Sequence, residues 1–252
     1  MFNFFIEEGN RHGNRYLIGG ADYNHIKNVL RMKIGDNFLV SENNVSNLCR
    51  IEKFENNCVV AEITEERFQD TNLPVRLFLF QGLPKSDKME MIIQKSVELG
   101  IEGIIPIEMN RCVVKLDEKK KKSKRERWQA IAESAAKQSK RNSIPVVFDV
   151  MSYKEALKKA SELDLFIVPY ECKDGMESTK KALAKIKNGS SVGILIGPEG
   201  GFELNEIDSA VSCGGITVSL GKRILRTETA AVTAVGMCML HIEMNITENS
   251  DD

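Results

Sequence analysis

VGILIGPEGGF, residues 192–202, and its counterpart SLGKRILRTETAA, residues 219–231, each run apolar and then break on glycine. Read as buried strands, Val192, Ile194, Leu195 and Ile196 in the first and Ser219 and Leu220 in the second deliver the backbone to a loop at the strand's C-terminal end. Gly197, Gly200, Gly201 and Gly221 permit positive φ and leave a bare main chain open to close approach. In open α/β sheets that edge is where ligands bind. One such loop alone reads equally well as a tight turn. Two at successive strand ends, with Glu199 on one and Lys222, Arg223, Arg226 and Glu228 on the other, point to a ligand site.

Working outward, strands and helices alternate from about residue 74. Val75–Gln81 reads as a strand. Asp87–Leu99 follows as a helix, with Asp87 and Glu90 spaced as a capping box and Met89, Ile92, Ile93 and Val97 turned inward. Ile101–Ile107 is the next strand, and Arg125–Lys140 is a helix carrying Trp128, Ile131, Ala132, Ala135 and Ala136 on one stripe. Leu165–Val168, Gly193–Ile196 and Ile216–Leu220 are short buried strands. The alternation predicts an α/β domain with a mainly parallel sheet. The final helix, Glu228–Met244, capped by Thr227, is apolar nearly all round, which suits a subunit interface as well as a core.

Residues 1 to about 70 differ. Asp36–Glu42, Val45–Phe54 and Cys58–Thr64 read as strands separated by the polar turns Glu42-Asn43-Asn44 and Glu55-Asn56-Asn57, with one short helix at Asp22–Leu30. This is a small β-barrel pattern, of the kind that binds RNA or serves as a packing partner. The polar stretch Gln69–Pro74 reads as the linker.

The chain has 252 residues, 42% hydrophobic and 28% charged, enough for one large or two modest domains with a real core. No apolar run approaches a membrane span, and MFNFFIEEGN lacks a basic n-region and a cleavage site, so a cytoplasmic location and no membrane partner are expected. Cys49, Cys58, Cys112, Cys172, Cys213 and Cys238 are scattered among only three histidines, which predicts neither a metal site nor a disulfide framework. Net charge is −1, yet Lys115–Arg141 holds eleven Lys/Arg against four Asp/Glu. That excess suggests a polyanionic partner for one face, with Lys119–Lys122 as a mobile loop.

GPEGG lacks the spacing of a phosphate-binding P-loop, and no G-x-G-x-x-G opens the first βα unit. What remains is a ligand read by main-chain groups between apolar walls, as a purine-bearing cofactor would be. IGPEGGF followed by LGKRILRTETAAV, with KSDKMEMIIQKSVELG (Lys85–Gly100), RCVVK (Arg111–Lys115) and HIKNVLR (His25–Arg31), resembles the RsmE family. These are small-subunit (16S) ribosomal RNA uridine-N3 methyltransferases of the SPOUT superfamily. The resemblance covers about residues 20–240.

The resemblance implies a PUA-like RNA-binding β-barrel over residues 1–70 and a trefoil-knotted SPOUT methyltransferase domain over residues 74–244. S-adenosyl-L-methionine would lie among Val168, Tyr170, Ile196, Gly197, Pro198, Glu199, Gly200, Gly201, Leu220, Gly221, Ile224, Leu225 and Thr229. It further implies a homodimer, 16S rRNA as substrate, on the assembled subunit, and no metal. Because the sulfonium methyl is already activated, the chemistry needs in-line placement of uracil N3 and a cation beside the developing imidate. Arg226 suits that role, or the positioning of a phosphate, with Glu228 or the Thr229 hydroxyl orienting Arg226 or the cofactor. Glu171 is a lesser candidate for the base. RNA phosphates would be met by Arg31, Lys85, Lys88, Arg111, Lys137 and Arg141. Asn3 stands where family members commonly carry arginine, and Glu203 where many carry Ser or Thr as helix cap.

Overall fold

The computed structural model describes residues 1–7, 9–170 and 175–246. The chain divides into two compact units, Met1–Asn72 with Ala136–Ile144, and Leu73–Ala135 with Pro145–Asp252.

The first unit contains β1 (Asn3–Phe5), β2 (Arg11–His12), β3 (Arg15–Ile18), a short helix α1 (Gly20–Asn24) running into a π-helical turn at His25–Val29, β4 (Asn37–Glu42), β5 (Val45–Glu55) and β6 (Cys58–Gln69). The strands pair in the order β1-β4-β5-β6-β3-β2. Asn43, Asn44, Asn56 and Asn57 all have positive φ and form the two-residue turns of the β4–β5 and β5–β6 hairpins. That turn geometry matches the strand twist, and asparagine tolerates it best after glycine. Phe4, Tyr16, Phe38, Ile51 and Val59 pack with Tyr23 and Ile26 from the helical segment. Among the described residues β1 and β2 stand at the two ends of this six-stranded sheet and do not pair with each other. α1 with its π-helical turn supplies apolar cover for the sheet. The return segment 136–144 is held by side chains: Asn3 Nδ2 donates to Arg141 O at 2.9 Å, and Asn142 Nδ2 to Gln69 O at 3.1 Å.

The second unit is built on β7 (Arg76–Gly82), α2 (Lys88–Glu98), β8 (Gly103–Glu108), α3 (Glu118–Ser139), β9 (Val146–Val147), β10 (Met151–Ser152) and α4 (Tyr153–Ala160). It continues through β11 (Leu165–Pro169), α5 (Met176–Leu183), β12 (Ser191–Ile196), α6 (Leu204–Ser212), β13 (Gly215–Val218) and α7 (Thr227–Asn245). Every pairing in its sheet is parallel, in the order β10-β8-β7-β12-β11-β13 with β9 also on β8. All six residues of β12 are buried, as expected where helices cover both faces of a parallel sheet.

Three local expectations give way to tertiary contacts. Asp87 does stand before α2, but its side chain caps nothing; Glu90 instead takes the Arg127 guanidinium, with Nε 2.7 Å from Oε1. The lysine run Lys119–Lys122 is not a loop but the opening of α3. Asp117 Oδ1 accepts the Lys120 amide at 2.8 Å, and Lys121 pairs with Glu118 and Glu108, so a capped turn of good helix formers wins over charge repulsion. Thr227 lies inside α7 rather than capping it.

One close approach positions the first glycine loop. A Cβ on Gly82, the last residue of β7, would lie 2.7 Å from Pro198 Cδ and 2.8 Å from Met109 Sδ. The bare α-carbon is what lets the 197–201 loop seat on the sheet. Gly82→Ala is expected to cost about 1–3 kcal/mol by overpacking, measured as a lower thermal unfolding midpoint; an unchanged midpoint would show that the loop yields freely.

Candidate functional site

The two glycine loops leave the sheet from β12 and β13, with β11 between them. Their walls enclose a cleft of about 660 Å³, lined by Pro169 and Tyr170 from the end of β11, Gly197–Glu199, Gly201 and Phe202 after β12, and Ser219–Thr227 after β13, with Lys88 beside them. The Tyr170 and Phe202 rings meet edge-on at 6.1 Å. Gly201 and Gly221 have φ of 68° and 104°, values that a side chain would strain.

What holds the loops together is buried. Thr227 Oγ1 donates to Gly197 O at 2.6 Å and accepts from Gln81 Nε2 at 3.0 Å. The helix that follows β13 thereby starts against the end of β12. Gln81 is fully buried in β7, and its amide also donates to Gly82 O at 2.9 Å.

The charges are sorted by Lys88. Its Nζ lies 3.0 Å from Glu199 Oε1 and 3.2 Å from Glu228 Oε2, while the Lys85 amide donates to Glu199 Oε1 at 3.0 Å. Burial alone would raise the Glu199 carboxyl, but Lys88 and the Lys85 amide outweigh it and hold the pKa below the ordinary 4.5. The Lys88 ammonium is raised, chiefly by Glu199, with Glu228 adding to it. With both carboxylates engaged, exposed Arg226 carries no ion pair among the described residues, and neither do Lys222 and Arg223.

Such a cleft, with a bare main chain, apolar walls and a cation at its mouth, fits a flat cofactor and an anionic partner. Residues 71–239 match the family model of an RNA methyltransferase domain, and residues 18–64 that of an RNA methyltransferase PUA domain. Over 236 residues the chain is 41% identical to ribosomal RNA small subunit methyltransferase E of Bacillus subtilis, covering 91% of each. The chain belongs to the ribosomal RNA small subunit methyltransferase E family. Among solved structures it is similar to the crystal structure of a hypothetical protein, with a TM-score of 0.88 at 37% identity over 96% of this chain and 99% of that one. It is also similar to the Neisseria gonorrhoeae ribosomal RNA small subunit methyltransferase E bound to S-adenosyl methionine, with a TM-score of 0.77 at 33% identity over 94% and 96%. The α/β class is thus that of the trefoil-knotted SPOUT methyltransferases with an N-terminal PUA-like unit.

Of the residues singled out in this family member's sequence, Tyr170, Gly197, Pro198, Glu199, Gly201, Leu220, Gly221, Ile224, Leu225 and Arg226 line the cleft. Val168 and Ile196 are strand residues with side chains in the core. Gly200 faces away: Arg111 Nη1 donates to its carbonyl at 3.1 Å, and a Cβ there would sit 2.8 Å from Arg111 Cβ. Arg111 therefore buttresses the loop from behind. Thr229 is exposed on the first turn of α7 and does not line the cleft. Glu228 pairs with Lys88 instead of Arg226, and Glu171 lies outside the described residues. Lys88, expected on RNA, belongs to the cleft. Arg31 and Lys85 are exposed, Lys137 is half-buried with Nζ 3.8 Å from Asp22, and Arg141 is only 4% exposed, which withdraws it from any phosphate. Phe202, Thr227 and Gln81 were not anticipated. The aromatic that closes GPEGGF was the one local signal for Phe202; nothing local marked Gln81.

Two outcomes follow from this wiring. Thr227→Val strands two buried polar partners and should cost about 1–3 kcal/mol of unfolding free energy, whereas Thr227→Ser should recover most of it in the same urea titration. The Glu199 contribution has a defined pH window. A carboxyl lowered on folding stabilises fully above its unfolded value and loses that stabilisation as pH falls through its folded value. The difference in thermal midpoint between wild type and Glu199→Gln should therefore stay constant near neutrality and close only below the ordinary 4.5; closure at neutral pH would contradict the ion pair.

Proposed function

We propose that the chain methylates N3 of a uridine in 16S ribosomal RNA, on the assembled small subunit, using S-adenosylmethionine. The observation that carries this reading is the cleft: two glycine loops tied by Thr227, with an arginine at the mouth that holds no ion pair among the described residues. The Neisseria relative is bound to S-adenosyl methionine, and the residues here suit that molecule. Leu220, Leu225 and the rings of Tyr170 and Phe202 offer apolar walls, while the main chain at Gly201, Gly221 and Ile224 lines the cleft where a purine would lie. A Cβ on Gly197 would lie 3.3 Å from the Phe202 ring, so a side chain there requires the ring to give way by a few tenths of an ångström. When bound, the cofactor supplies a methyl group already activated on sulfonium.

The chain's own task is to hold the imide nitrogen in line and to stabilise the anion left when its proton departs. Arg226 is placed for that, because among the described residues its charge is not spent on a neighbour. Glu228 acts as a positioning residue: it helps Lys88 hold Glu199, which fixes the loop through the Lys85 amide. Uracil N3 is engaged in a base pair, so the substrate nucleotide must be unpaired or flipped. Arg31 and Lys85, joined by Lys222 and Arg223, are the exposed cations suited to phosphates. Exposed Leu240 and Met244 on α7 and Met91 on the adjoining α2 support a twofold homodimer. A ribosome-directed enzyme of this kind works in the cytoplasm.

Transfer of labelled methyl groups to small ribosomal subunits from a strain lacking this protein, followed by nucleoside analysis, tests the reading directly. 3-Methyluridine is the expected product, and a ribose-methylated nucleoside would refute it. Arg226→Ala should lower kcat about a hundredfold with cofactor affinity by calorimetry kept within about threefold; full turnover by that variant would remove Arg226 from the chemistry.

A further inference from the structure

We infer that the first unit grips unpaired RNA with the turn that follows its π-helical segment, and not with the outer face of its sheet. The inference rests on the proposed RNA substrate and identifies the surface that receives it. On the sheet most of the cations are already spent, exposed Arg67 near the end of β6 being the exception among the described residues. Arg15, Glu62 and Arg50 stand opposite one another on β3, β6 and β5, alternating in sign across the strands. Arg50 Nη2 lies 3.0 Å from Glu62 Oε2, Arg15 pairs with Glu52, and Arg11 pairs with Glu66. A phosphate arriving there must break one ion pair for each contact it makes, and meets the released carboxylate beside it. Little net counterion release is available from such a surface.

The turn between the helical segment and β4 is the opposite case. Arg31 and Lys33 are exposed and hold no ion pair among the described residues; Asp36, in the same turn, accepts the Lys33 main-chain amide at 2.8 Å. The same segment exposes Val29 at 68% and Ile34 at 65%, large side chains that the fold leaves in solvent. Arg31 sits at φ 53°, one residue beyond the Leu30 cap of the π-helical turn, a costly conformation for a side-chain-bearing residue. The conformation is nonetheless fixed. Ile26 is fully buried, the His25 ring meets Phe4 edge-on at 6.0 Å, and Gly35 N donates to Ile51 O at 2.8 Å. Free cations beside fixed apolar side chains suit a single strand, whose phosphates take the charge while splayed bases cover Val29 and Ile34.

The test is binding of a labelled single-stranded RNA over a range of salt concentrations, together with methyl transfer to small ribosomal subunits. The double variant Arg31→Gln, Lys33→Gln should flatten the dependence of log K on log salt by about 0.7 for each phosphate lost. Val29→Ser with Ile34→Ser should weaken binding at least about tenfold without altering the salt slope. Arg15→Gln and Arg50→Gln, on the paired face, should leave both unchanged. All substituted positions are exposed, so circular dichroism can confirm that each variant is folded. Loss of binding in the sheet variants with retention in the turn variants would overturn the inference, as would turn variants that bind RNA normally and fail only on assembled subunits, which would point to a protein contact. Absence of methyl transfer by the wild-type chain, with RNA binding intact and turn-dependent, would instead sink the proposed reaction and leave this surface standing.

Discussion

The hydrogen bond from Thr227 Oγ1 to Gly197 O is the constraint on which the site depends. β12 and β13 are not neighbours; β11 separates them, so the loops that follow them have no reason to meet. A return of the chain from the sheet edge to its centre brings them together, and α7 begins there against β7 and β12. Thr227 fastens that return, with Gln81 as the second partner of its hydroxyl. Tyr170, at the end of the intervening β11, then has a loop on either side of it. The cleft is thus a product of connectivity, and its polar fastening is buried, where an unmade hydrogen bond costs most.

The distribution of charge follows from the same seating. Lys88 stands at the start of α2, near enough to both loops to meet Glu199 on one and Glu228 on the other. Lys88 engages both carboxylates, and among the described residues Arg226 holds no ion pair. A pair at 4 Å and an effective dielectric of about 20 interacts by about 4 kcal/mol. An Arg226 held by Glu228 would therefore have much of its field cancelled at the cleft mouth. Lys88 prevents that cancellation while contributing to the loop's stability, a role that requires it to be drawn inward and not extended toward RNA.

Much of this was legible in the sequence, and the exceptions share a cause. The apolar run ending in GPEGG marked β12 and its loop because a strand buried on both faces leaves little freedom of composition. The 3.6-residue stripe of α2 and the asparagine pairs of the two hairpins were equally direct. Where local rules failed, a distant partner had claimed the side chain. Asp87 and Glu90 have capping-box spacing, but Arg127 takes Glu90; Thr227 has cap chemistry, but Gly197 takes its hydroxyl. At strand ends the obstacle was different. Val168 and Ile196 are near the cleft in sequence, yet their side chains are buried, and sequence pattern does not fix which face a terminal strand residue presents. The packing of 136–144 with the first unit rests on Asn3 and Asn142, single polar residues without a periodic signal.

Linear charge density and available charge also part company. The basic stretch from Lys115 to Arg141 is the densest in the chain, but the fold spends much of it locally: Lys120 on Asp117, Lys121 on Glu108 and Glu118, Arg125 near Asp149, and Arg127 on Glu90. Lys222, Arg223 and Arg226, only three cations in five residues, are exposed and hold no ion pair among the described residues. A surface recruits a polyanion through the charge it can still offer, because each cation already neutralised releases no counterion from the incoming strand. Among the described residues unspent positive charge therefore stands where the second glycine loop opens, next to the groups that would act on a base, as well as on exposed Lys115, Lys119 and Lys122 of the basic stretch.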